Sequence, residues 1–137
     1  MVAGKMGAIA VVSCVSEGLN LAFDLARLRD VVWVNPDVLT SSCDADEVLS
    51  ETMHSDRDHT SMLRALCPAH LGNIVSVVMV KDPLHPTDGA GCLKLIRDHS
   101  TTGVMSVVDV SAQSLRDAQF AQALLFRLAE HPQAAAH

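Results

Sequence analysis

Lys81, Asp82 and His85 fall within five positions of one another, with Pro83 and Pro86 stiffening the stretch that holds them. A carboxylate just beyond a buried strand can meet a divalent cation or a substrate hydroxyl without losing its hydration. An imidazole three residues on can face a phosphate. The run is therefore a candidate phosphate and metal corner, with Asp82 as the metal ligand, magnesium as the cation its hard oxygens suit, and Lys81 and His85 as ligand contacts. The same residues also fit a plain loop in which Asp82 caps a turn and His85 faces solvent. His54, Asp56, Asp58 and His59 form a second metal-capable group, but its two histidines are five apart and lack the i, i+4 spacing of a helix-borne histidine pair, which makes solvated surface the simpler reading. Cys14 is followed by Ser16 and Glu17 and stands where a nucleophile could. It has no sequence neighbour to lower its pKa, so packing is its expected role. Gly18 stands alone, and neither GxGxxG nor GxxxxGK occurs.

These residues need elements to position them. Residues 74–80, IVSVVMV, read as a buried strand that ends at Lys81. Residues 7–14 and 31–35 are further apolar runs rich in β-branched residues, and residues 104–110 are a fourth. Between the first two, residues 19–28 carry apolar side chains at helical spacing, with Ser16 as N-cap, so the chain opens with a βαβ unit. Residues 44–53 read as a short exposed helix capped by Ser42 or Asp44, and residues 60–67 as an amphipathic helix ended by Pro68. Residues 70–73 turn into the central strand. Residues 88–99 and 114–130 complete the helices, the last capped by Ser111 or Ser114, and residues 131–137 form a frayed tail. The expectation is one α/β domain over residues 1–130, a Rossmann-like three-layer sandwich with a mostly parallel sheet of about four strands. Ligands of such sheets bind beyond the carboxyl ends of the strands. That rule gathers residues 13–18, 35–37, 81–85 and 109–111 on one surface and adds Ser16 to the candidate contacts.

Composition narrows the partners. The formal charge of −6 and the absence of a basic stripe argue against nucleic acid and anionic membrane. Aromatic residues make up 3% of the chain, so aliphatic side chains and methionine must fill its core. Cys14, Cys43, Cys67 and Cys92 show no CxxC pair, which fits reduced thiols and a cytoplasmic setting. Lys5 and the run ending Val11-Val12-Ser13-Cys14 faintly resemble a lipoprotein signal, but they read equally as the first strand.

Residues 57–110 resemble the middle of the nucleoside-triphosphate cytidylyltransferases of the methylerythritol-phosphate type. Arg57-Asp58-His59-Thr60 stands for that family's Arg-x-x-Ser helix opening, Asp82-Pro83-Leu84-His85-Pro86 for its Asp-Ala-Ala-Arg-Pro, and residues 104–110 for its later strand. The resemblance implies that Thr60 lies near the base and ribose of a nucleotide, Asp82 near the metal and the acceptor, and His85 near the acceptor's phosphate. The family's glycine-rich cationic loop is replaced by Ser13-Cys14-Val15-Ser16-Glu17-Gly18, which puts a carboxylate where a triphosphate needs cations. The expected function is a degenerate, non-catalytic nucleotidyltransferase-like domain that binds a nucleotide, a phosphorylated ligand or a protein partner. A flavodoxin-like or receiver-like interaction module and a small active transferase using Asp82 and His85 are the alternatives. In the last helix Phe120 and Phe126 fall away from the stripe of Leu115, Ala121, Leu124 and Leu128, which predicts a homodimer or a hetero-partner contact there.

Overall fold

Continuous apolar runs form strands when both faces of the sheet they join are covered, and the centre of this sheet is built from such runs. The computed structural model describes residues 7–36, 51–55, 60–65, 68–84 and 89–134. Among them, six strands form one sheet: β1 (Ala8–Val12), β2 (Val31–Val34), β3 (Glu51–His54), β4 (Ser61–Ala65), β5 (Ile74–Lys81) and β6 (Ser106–Ser111). Their order is β3-β4-β2-β1-β5-β6, parallel throughout except for the edge strand β3, which pairs antiparallel with β4. The helices are α1 (Ser16–Ala26), α2 (Gly89–His99), α3 (Ala112–Leu115) and α4 (Ala118–Ala134), and a 3-10 turn spans Pro68–Leu71. This mostly parallel α/β arrangement is compatible with a Rossmann-like sandwich.

Alternation along the strands divides the core. Ile9, Val11, Val31, Trp33, Val78 and Val80 face Leu21, Leu25, Leu124 and Leu128 of α1 and α4. Ala10, Val12, Val32, Val34, Val77 and Met79 face Cys92 and Ile96 of α2, together with Leu71 of the 3-10 turn. The run at Val11 and Val12 thus lies inside the sheet. A register shift between Ala8 and Ile9 lets β1 meet β5.

Two expected helices, 44–53 and 60–67, are strands where they are described; residues 44–50 and 66–67 lie outside the described residues. Residues 60–67 contain β4 because Val32 and Trp33 of β2 offer a free edge beside Leu63 and Arg64, and pairing there outweighs local helical spacing. The segment 44–53 ends in β3, which takes its register from β4, with Thr52 opposite Leu63 and His54 opposite Ser61. These two account for the difference between four strands and six. The last helix is also divided. Ser111 caps α3, its Oγ accepting from the Ser114 amide at 3.0 Å. Asp117 Oδ1 accepts from the Gln119 amide at 2.9 Å at the start of α4, which continues to Ala134 rather than fraying at residue 131.

Candidate functional site

The chain leaves β1 for α1 on one face of the sheet and leaves β5 for α2 on the other, so a crevice opens beyond the carboxyl ends of these neighbouring strands. Its α2 side holds a cavity of about 530 Å³. Val12, Met79, Leu93 and Val107 give it an apolar floor, Gly89 and Ala90 bring in the first turn of α2, and Lys81, Asp82 and Asp109 stand on its rim. Gly89 suits this place, because a Cβ there would lie 2.8 Å from Met79 Cε and narrow the floor.

Lys81 Nζ lies 3.3 Å from Asp109 Oδ1 in an exposed ion pair. Exposed pairs of this kind contribute only ~0–1 kcal/mol, so Lys81 is readily released to an anion. Asp82 Oδ1 accepts from the Leu84 amide at 3.0 Å, the cap expected for a turn, and the residue also lines the cavity. The turn-capping reading of Asp82 is thus the one its hydrogen bond shows. Among the described residues, no three His, Cys, Asp or Glu side chains gather into a metal cage. Asp82 and Asp109, both in the cavity lining, are the carboxylates that could contribute to holding a divalent cation there, and two carboxylates alone do not make an all-protein cage.

On the opposite side of the crevice, Ser13 organises the exit of β1. It is buried, its amide donates to the Val34 carbonyl at 2.9 Å, and its carbonyl accepts from Trp33 Nε1 at 3.1 Å. Its Oγ exchanges two 3.1 Å hydrogen bonds with the Val15 backbone. Ser16 is the first residue of α1 and not its cap: Val15 occupies the cap position and makes no side-chain capping bond. Glu17 Oε2 accepts from Arg116 Nε at 2.8 Å, tying α1 to the turn between α3 and α4. That bond holds the Glu17 carboxyl below its ordinary range. It also raises Arg116, with a smaller contribution from Asp82.

Because the folded pKa of Glu17 is lowered, the bridge stabilises the fold above the unfolded carboxyl's range, and the contribution is lost as pH falls through the lowered value. Glu17→Gln is expected to flatten this acid loss. Urea midpoints from neutral pH down into the acid range will show it, and parallel curves for the two proteins would dissociate the bridge from acid unfolding.

The structure brings Lys81 and Asp82 together at the cavity and places Ser16 at the same end of the sheet but over the other face. Thr60 immediately precedes β4 at the amino end of the parallel strands, away from Lys81 and Asp82. His85 lies outside the described residues, as do Asp56, Asp58 and His59. His54 is exposed at the end of β3. Cys14 is half-buried beside the β1 exit. Sequence reasoning gave no role to Arg116, and placed Asp109 and Ser13 on the candidate surface without assigning either a contact. A charge interrupting the run Val107-Val108-Asp109-Val110 was the signal for the second of these. Compared with family models, characterised proteins and solved structures, the chain finds no match.

Proposed function

We propose that the chain is a non-catalytic, nucleotidyltransferase-like α/β domain whose carboxyl-end cavity receives a nucleotide or another phosphorylated small molecule. The supporting observation is the cavity of about 530 Å³, within the usual size of ligand pockets, ~300–1,000 Å³, and placed where open α/β sheets take their ligands. Its apolar floor suits a base or another flat group. Lys81 and the first turn of α2 offer positive charge to a phosphate. Asp82, with Asp109, would hold magnesium brought by the ligand, which screens phosphate from these carboxylates. Turnover is not part of the reading, because Glu17 occupies the β1 exit and Arg116 is engaged with it.

Thermal unfolding with nucleoside triphosphates, with and without magnesium, tests the proposal. A magnesium-dependent rise in melting temperature is expected, and Asp82→Ala should abolish the rise while lowering melting in plain buffer only by the loss of one exposed turn cap. No rise with any nucleotide would favour a protein-contact module instead. Pyrophosphate release above an enzyme-free blank, removed by Asp82→Ala, would overturn the non-catalytic part.

Self-association is a second reading, resting on a separate observation. Phe120 is 40% and Phe126 55% exposed on α4, while Leu124 and Leu128 are buried beneath. We propose that a second copy covers the two rings, since large exposed aromatics favour interfaces. Phe126→Asp is expected to shift the protein to monomer at unchanged melting temperature. Light scattering showing a monomeric unmutated chain at high micromolar concentration would exclude the homodimer.

A further inference from the structure

At the amino ends of β1, β2, β4 and β5, opposite the crevice, lies a second cavity of about 330 Å³. Arg29, Asp30, Ser61, His70 and Asn73 are its polar lining residues. Arg29 follows the end of α1, and its environment is incomplete. Among the described residues Nη1 is buried with no hydrogen-bond partner, and Nη2 donates to the Gly7 carbonyl at 3.4 Å, beyond the usual N–H···O range of ~2.7–3.2 Å. Burial pushes the Arg29 pKa below the usual guanidinium range, opposed in part by the charge of nearby Asp30. A guanidinium remains charged under these conditions, so the fold holds a partly desolvated cation with Nη1 of its fork lacking an acceptor among the described residues. Such a charge is costly unless it is paired, and a planar fork is paired best by an oxyanion that takes two of its N–H groups. Ser61 and Asn73 supply further donors from β4 and from the turn before β5.

We propose that this amino-end cavity binds a small oxyanion, a phosphate or carboxylate carried on a metabolite-sized molecule, with the Arg29 guanidinium as its counter-ion. The volume is at the lower end of ligand pockets, ~300–1,000 Å³, which excludes a dinucleotide and suits a compact metabolite. Nη1 is closed off from solvent, so its contact with the anion comes with a small turn of the Arg29 side chain. Asp30 sets a requirement on the ligand: its anionic group must sit on the Arg29 side of the cavity, with uncharged or cationic groups toward Asp30. The site is independent of the carboxyl-end cavity and stands or falls without it.

The test is thermal unfolding of the full chain in inorganic phosphate and, separately, in succinate, against sodium chloride of matched ionic strength. One of the two oxyanions is expected to raise the midpoint by at least ~2 °C. The larger response identifies phosphate or carboxylate as the group preferred. Arg29→Met should lose the rise, whereas Asp82→Ala should keep it. Because phosphate also stabilises proteins by exclusion from their surfaces, a rise retained in Arg29→Met would overturn the proposal, as would equal midpoints in all three salts. In chloride alone Arg29→Met should melt within a few degrees of the unmutated chain, since it removes a partly desolvated charge that only a long bond to Gly7 and nearby Asp30 offset. A large loss there would make Arg29 a packing residue and also overturn the proposal. Should the variant fail to fold, amide NMR of the unmutated chain decides. The oxyanion must move the Gly7 and Asn73 signals ahead of those of Lys81 and Gly89, and the reverse order would refute the assignment.

Discussion

Gly18→Ala is expected to lower the melting temperature by roughly 10 °C, the consequence of about 3 kcal/mol of overpacking at a site with no slack. A Cβ built at Gly18 would lie 2.0 Å from Ser13 Oγ and 2.3 Å from Ser13 Cβ. In an exposed serine the hydroxyl would turn aside, but here it is held by the Val15 backbone on both its donor and acceptor sides. The Ser13 Cβ is fixed by the chain itself. Relief therefore requires α1 to lift from β1, which disturbs Leu21 and Leu25 below it. Urea denaturation measures the loss. Adding Ser13→Gly to Gly18→Ala should recover part of it, because the new methyl then has room, and the cycle of the two variants should show favourable coupling. Strictly additive losses would place the strain elsewhere.

Trp33→Ala should cost about 4 kcal/mol, at the upper end of what a chain of this size tolerates. The indole is 7% exposed, lies in the core face of β2, and has the Arg64 guanidinium carbon 5.4 Å from the ring centroid. Its Nε1 also holds the Ser13 carbonyl. Trp33→Phe separates the two contributions: it keeps most of the packing and removes the hydrogen bond, for an expected loss of about 1–2 kcal/mol. A loss below ~1 kcal/mol for Trp33→Ala would mean that this face repacks around the gap.

These residues show what the sequence made legible. β1, β2 and β5 are visible as unbroken apolar runs, because strands covered on both faces need no alternation. Helices α1 and α2 are visible from their spacing. β4 was not, since Ser61-Met62-Leu63-Arg64-Ala65 satisfies a helical stripe as well as a two-sided strand, and only the free edge of β2 decides between them. The cavity rim was half legible. Lys81 and Asp82 stand where an apolar run stops, but the partner of Lys81 comes from β6, and no local pattern links Lys81 to Asp109. Ser13 was hidden for the opposite reason: a small polar residue after an apolar strand looks like the start of solvent, whereas here every polar atom of it is used inside the fold.

The strand order also sets a timetable for biosynthesis. β1 is made before β5, yet one whole edge of β1 is completed only by β5, which ends at Lys81. While the intervening residues leave the ribosome, the βαβ unit of β1, α1 and β2 exists with an apolar strand edge unpaired and with one face uncovered until α2 arrives. Unpaired edges of that kind recruit other chains. Order of synthesis and order of assembly therefore diverge, and the nascent chain's most exposed period falls between the emergence of Val34 and that of His99, the interval in which holding by a chaperone has the most to prevent.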